Sequence, residues 1–199
     1  MTHEHHHEPE PGQGHHHHDY ATEVADYRAR KDAYFKEAAS SPIPLDARSE
    51  FTGLPYFAVD RDLLLEGIRL EPYAGSEPIA FEFPTSDGKL RPAHRAGSFT
   101  FDLGGEPRTL AAYTIDGGSG ESLFVPFLDA TSGRETYGAG RYLDLEPEGD
   151  GIYSLDFNMA YHPFCVFAPS YSCPLTPAEN RLPIRIEAGE RLPEAAPAR

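Results

Sequence analysis

From Phe51 onward the chain is cut into short apolar runs by dense turn punctuation, and this rhythm constrains the fold more than any other feature. "TSDGK", "DLGGEP", "IDGGSGES" and "EPEGDG" interrupt it, each placing Gly, Asp or Ser where a backbone must reverse. Between and around them lie eight candidate strands: "LLLEGIRLEPY", "IAFEFPT", "GSFTFDL", "TLAAYTI", "SLFVPFL", "RYLDLEP", "IYSLDFN" and "LPIRIEA". Phe99, Phe101 and Leu103 share one face of their run, and Ile184 and Ile186 share a face of theirs. No helix-length periodicity separates the runs, so they read as antiparallel hairpins. The expected fold is mainly β, a single antiparallel β-barrel or β-sandwich.

One segment departs from this rhythm. Tyr20, Val24, Tyr27, Tyr34, Phe35 and Ala38 recur at helical spacing, with Lys31 in the one missing slot. Asp19 or Thr22 can cap the start, and Pro42 and Pro44 forbid continuation. One N-terminal amphipathic helix, over about residues 20 to 39, is expected to lie on the sheet. Ahead of it, residues 1–18 hold eight of the ten histidines and no apolar residue beyond Met1. Such a segment does not repay the entropy of ordering and is expected to be a disordered tail. The imidazoles of His3, His5, His6, His7, His15, His16, His17 and His18 suit Zn²⁺, Ni²⁺ or Cu²⁺. Metal handling through the tail is one reading; the other is a low-complexity tail with incidental Zn or Ni affinity and no cofactor. Residues 192–199 read as a second frayed tail, which leaves 19–191 as one β-rich domain.

Charge narrows the classes. Asp and Glu outnumber Lys and Arg 32 to 17, for a net charge of −15. Such a surface repels phosphate backbones and anionic membranes, so neither nucleic acid nor membrane is an expected partner. No apolar run has transmembrane length, and the first residues lack the basic and apolar regions of a secretory signal, so a cytoplasmic location is expected. Lys occurs only at positions 31, 36 and 89. An acidic, Lys-poor surface suits a high-salt cytoplasm, and a GC-rich genome would produce the same bias. Two cysteines are too few for a disulfide framework.

The chemistry concentrates in "DFNMAYHPFC", residues 156 to 165. Alternation sends Tyr153, Leu155 and Phe157 to the core and Ser154, Asp156 and Asn158 to the other face, ending beside Tyr161. The following "AYHPFCVFAPSYSCPLTPAEN" carries four prolines. It reads as an irregular, aromatic, Pro-rich loop packed on the sheet, its backbone groups partnered by Asp156, Asn158, Glu179 and Asn180. His162, Cys165 and Cys173 could supply three zinc ligands, although a fourth is not evident. A Cys–His nucleophile, a disulfide and two buried thiols are the other readings; the neighbouring Phe and Val favour buried thiols. In a second cluster, residues 129 to 145, Arg141 sits at the mouth of the next strand, where its guanidinium could grip Asp156, Asp129 or an anionic ligand.

Two functions fit. The leading reading is a non-catalytic domain that binds a small molecule or a protein partner through Arg141, Tyr142, Asp156, Asn158 and Asn180. The alternative is a hydrolase-type enzyme with Asp156 or Glu179 as acid or base, and Tyr161 and Arg141 stabilising charge.

Three blocks, "FTGLPYFAVD", "FLDATSGRETYGAGRY" and "LDFNMAYHPFCVFAPSYSCPLTPAENRLPIRIEAGE", resemble domain-of-unknown-function family 1684, an uncharacterised prokaryotic family. The resemblance implies homology and a shared site but no reaction. The family pattern falls on Asp129, Ser132, Gly133, Tyr137, Gly140, Arg141 and Tyr142, and then on Asp156, Asn158, Tyr161, Cys165, Cys173, Pro174, Glu179 and Asn180. Position 162, commonly Asn in similar sequences, is His162 here. An amide is no general base, which argues against a Cys–His mechanism.

Overall fold

A computed structural model of the chain describes residues 19–115 and 122–193. Seven strands form one antiparallel sheet that nearly closes into a barrel: β1 (Leu64–Pro72), β2 (Ala80–Pro84), β3 (Leu90–Asp102), β4 (Pro107–Ile115), β5 (Leu123–Phe127), β6 (Arg141–Leu145) and β7 (Ile152–Asp156). Their order is β6-β5-β4-β3-β1-β7, with β2 beside β3, and β6 and β7 meet at the seam. The long β3 holds the arrangement together. Its first residues pair with β2, Gly97 to Phe99 pair with β1, and β4 runs along the opposite edge. The register shifts between Arg95 and Gly97. Only glycine fits there, since a Cβ on Gly97 would lie 2.1 Å from the Glu71 carbonyl oxygen.

Strand alternation splits the apolar side chains into two sets. Phe99, Leu110, Val125, Phe127, Leu143 and Leu155 fill the barrel interior, each contributing about 1.5–3 kcal/mol on full burial. Phe83, Tyr113, Phe124 and Tyr142 form a second cluster, on the outer face. The outer face of a barrel is buried only where something covers it, and here the Pro-rich stretch brings Tyr161 onto the cluster. Every residue of β5 is consequently buried.

The helix, α1, spans Tyr20–Glu37, two residues shorter than expected, because Ala38 turns extended. Asp19 occupies the cap position without a side-chain bond; its carbonyl accepts from Thr22 and Glu23 instead. Of the apolar stripe only Val24 and Phe35 are buried. Phe35 meets Phe164 and Phe167 edge-on, at 5.9 and 5.0 Å.

Two strand expectations need correction. "LPIRIEA" is not a strand: the bridge from Leu128 to Arg181 falls just before it, and carbonyls further along the run are taken by a side chain described below. Conversely, β3 begins seven residues before "GSFTFDL", in a stretch whose Pro92 and basic residues disguise it. Residues 1–18, with their histidines, lie outside the described residues, as do 194–199. Leu192 donates to the Glu135 carbonyl at 2.7 Å. No described helix is long and apolar enough to cross a membrane.

Candidate functional site

The polar residues singled out by sequence do not converge on one pocket. Arg141 is fully enclosed at the start of β6. Its Nη1 donates to the Ala188 and Glu190 carbonyls and its Nη2 to Ile186 at 2.8 Å. Its carboxylate partner is Asp129, at 3.6 Å, and not Asp156. Burial lowers the guanidinium to about 10, opposed by Asp129 and Glu190, so it stays charged at neutral pH. Asp129 also accepts from Thr131 and from the Ile186 amide. Arg141 therefore clamps residues 186–190 onto the barrel, and no donor is left aimed at solvent for an anion. Gly189 makes that contact close: a Cβ would lie 2.7 Å or less from the Phe157 and Ala160 carbonyls, at a φ of +75°.

Asp156 and Asn158 serve a different junction. Asp156 Oδ1 accepts from the Tyr20 hydroxyl at 2.8 Å and from the Asn158 amide at 2.9 Å. Burial, then the bond to Asp156, raises the Tyr20 phenol. Asn158 is buried, and its amide exchanges two hydrogen bonds with the Asp60 backbone. The expectation that both residues anchor the loop from Ala160 to Cys173 is thus corrected. They hold the start of α1 and the approach to β1, because β7 pairs with β1 there. Asn180 is wholly buried and bonds both backbone groups of Ala111 and the Pro126 carbonyl. It acts as a rung between β4 and β5. Glu179 accepts from the Tyr113 hydroxyl at 2.8 Å.

His162 is buried, with Nε2 accepting from the Tyr137 amide at 3.2 Å and Nδ1 3.6 Å from Glu190. Accepting at Nε2 leaves the proton on Nδ1. Desolvation, with Arg141 and Lys31 nearby, pushes its pKa down to about 3. The Nε2 lone pair is therefore engaged, and no group of three His, Cys, Asp or Glu among the described residues is placed to hold a metal ion. Glu190 is closed over by Lys31 at 2.5 Å and by the His162 amide at 2.8 Å. Cys165 and Cys173 are free thiols. Burial pushes Cys173 up to about 11.

The open concavity lies elsewhere. A cleft of ≈ 760 Å³ runs between the outer face of β4–β6 and the Pro-rich loop. Its apolar walls are Phe124, Tyr142, Tyr161, Phe164 and Tyr171, while Asp144 and Glu146 line one part and Arg91 another. Tyr142 stands edge-on to both Phe124 and Tyr161, at 4.7 and 5.6 Å. The Tyr161 hydroxyl donates to Asp144 at 2.6 Å, and Ser122 donates to Glu146 at 2.5 Å. Asp144 is raised by desolvation, a rise opposed by Tyr161 and Lys31. A smaller hollow under α1, lined by Tyr27, Lys31 and Phe35, shares Asp144, Tyr161 and Phe164 with the cleft.

Of the residues proposed from sequence for ligand binding, only Tyr142 lines this cleft, joined by Tyr161 and Cys173 from the catalytic and metal candidates. Phe124, Asp144 and Glu146 were missed, although the signal existed. In "RYLDLE", Tyr142, Asp144 and Glu146 alternate with Leu143 and Leu145, the same period that marked residues 153 to 158.

Residues 49–191 match the family model described as "Protein of unknown function (DUF1684)". The chain is also similar to an uncharacterized protein of Haloarcula marismortui known from a solution NMR structure, at 39% identity and a TM-score of 0.65. That likeness covers 86% of this chain and 93% of the other. A comparison with curated proteins returns no match. Since the family match takes in every strand, both halves of the cleft and the Arg141 clamp, the chain belongs to the DUF1684 family of proteins of unknown function.

Proposed function

We propose that the protein is a binding domain whose ligand is a small, flat, largely apolar molecule held in the cleft between β4–β6 and the Pro-rich loop. The observation that carries this is the cleft's lining. Five aromatic side chains face a space of ≈ 760 Å³, within the range of small-molecule sites, and a few polar groups stand at fixed positions around it. Aromatic rings offer area with little rotamer entropy to lose. Tyr142 and Tyr161 are held further by hydrogen bonds to the Pro174 carbonyl and to Asp144. Asp144, Glu146 and Arg91 would then set the ligand's orientation through its polar ends.

The test begins with natively purified protein, from which retained small molecules are extracted and identified by mass spectrometry. Candidates are then re-added while thermal unfolding is followed. A ligand at about a hundred times its Kd stabilises by about 2.7 kcal/mol. That shift should vanish in Thr114→Trp, which fills the cleft from β4. Stabilisation that survives the filled cleft overturns the reading. One observation favours an enzyme instead: Asp144, its pKa raised by desolvation, is a carboxylate in the cleft wall and suited to acid chemistry, whereas Asp156 and Glu179 do not line the cleft. Turnover of the recovered molecule, lost in Asp144→Asn while binding persists, would make the protein a hydrolase-type enzyme rather than a binder.

A further inference from the structure

The Pro-rich loop folds back on itself. Phe167 and Ala168 both donate to the Phe164 carbonyl, Tyr171 donates to Ala168, and the rings of Phe164 and Tyr171 meet edge-on at 5.3 Å. This turn brings two cysteines together. The Cys165 amide donates to the Cys173 sulfur at 3.3 Å. That contact sets the two cysteines against each other across the turn. The sulfurs belong to differently anchored pieces. Cys165 sits beside Phe164 and Phe167, which are packed on Phe35 of α1. Cys173 exchanges hydrogen bonds with Ser86 in the β2–β3 turn, at 2.9 and 3.1 Å. Between these anchors runs the stretch that supplies Tyr171 and Ser172 to the cleft wall.

We propose that Cys165 and Cys173 are a reversible disulfide pair that fastens this wall of the cleft when the thiols meet a low-molecular-weight disulfide. Cys165, half-buried where Cys173 is buried, and hydrogen-bonded to the Tyr137 hydroxyl at 3.9 Å, is the more exposed residue of the two and reacts first. Its thiolate attacks one sulfur of the oxidant RSSR, forming Cys165–S–S–R and releasing RS⁻. Cys173 then gives up its proton, and its thiolate attacks the Cys165 sulfur and expels the second RS⁻. Both leaving thiolates take up the protons lost by the cysteines. The chain is oxidised by two electrons, and one RSSR becomes two RSH. Closing the bond ties the α1 side of the loop to the β2–β3 turn, whatever the cleft binds.

The test treats the full chain with excess oxidised glutathione, alkylates the remaining thiols and maps the peptides by mass spectrometry. The expected product lacks two hydrogens, carries neither glutathione nor alkyl groups, links Cys165 to Cys173 within one chain, and reverts with dithiothreitol. Cys165→Ser and Cys173→Ser supply the controls, each holding at most a single glutathione. Hydrogen exchange at residues 164 to 174 should slow on the order of tenfold in the oxidised chain, because the cross-link restricts local opening. Stable mixed disulfides on the wild-type chain, or a bond between two chains, would overturn the pairing. Unchanged exchange with the bond formed would overturn the fastening.

Discussion

Buried His162 is neutral for a reason that can be measured. Desolvation, Arg141 and Lys31 all disfavour the imidazolium, and they outweigh the carboxylate of Glu190 3.6 Å from Nδ1. The folded pKa of about 3 lies below the ordinary value of 6.5. Above pH 6.5 the ring is neutral in both states and exerts no pH dependence. As pH falls below that value the unfolded chain takes up a proton that the folded chain refuses, so stability declines down to about pH 3. One refused proton is worth about 1.4 kcal/mol per pH unit. Urea unfolding of His162→Asn should therefore show a shallower loss between pH 6 and 4, by up to that slope. A change in the Tyr137 contact shifts the whole curve and leaves its slope alone. Parallel curves for the two proteins would mean that His162 is solvated or charged in the fold.

At the level of elements, α1 docks through polar contacts more than through its apolar stripe. Tyr20 reaches Asp156, Arg28 donates to the Phe57 carbonyl, Asp32 accepts from the Leu54 amide, and Lys31 pairs with Glu190. The gap at position 31 in the helical pattern was thus a buried contact of another kind. An ion pair held away from water is stabilising only relative to its broken form. Lys31→Met alone should cost about 3–5 kcal/mol by stranding the Glu190 carboxylate. The double variant Lys31→Met, Glu190→Gln should recover most of that loss, which a double-mutant cycle in urea reads directly. Additive losses would show that the two side chains do not interact. The same helix shows what sequence reveals. Its existence, its prolines beyond the end and most strands followed from periods of 3.6 and 2. Its docking did not, because Lys31 and Glu190 lie far apart in the chain and no local pattern pairs them. Arg141 escaped for the same reason: two of its three carbonyl partners, Ile186 and Ala188, sit in "LPIRIEA", whose alternation imitates a strand. The cleft was half-legible, through Tyr142 and Tyr161. Its other wall depends on where the Pro-rich loop folds back, which tertiary contacts decide.

Over the whole molecule, the acids have few bases to answer them. The net charge is −15, and the best cation pairs are spent inside, where Arg141 and Lys31 meet Asp129 and Glu190. Surface pairs such as Arg61–Glu66 are largely exposed and contribute about 0–1 kcal/mol each. The exposed carboxylates therefore repel one another in the compact state more than in the expanded one, and folding works against that repulsion. Salt shortens its range. The Debye length falls from about 30 Å at 0.01 M to about 10 Å at 0.1 M and about 3 Å at 1 M. The thermal midpoint should accordingly climb with KCl, most steeply at low salt, and flatten as the length drops below the spacing of surface charges. The buried pairs, shielded from ions, do not offset this gain. Charge variants separate screening from general solute exclusion. Glu71→Lys with Glu148→Lys, at exposed positions on β1 and before β7, removes negative charge without touching the core. That variant should be more stable than the wild type at low salt and should gain less from added KCl. Equal gains in both proteins would show that KCl acts by some route other than screening, and self-repulsion would then not limit the stability of this fold.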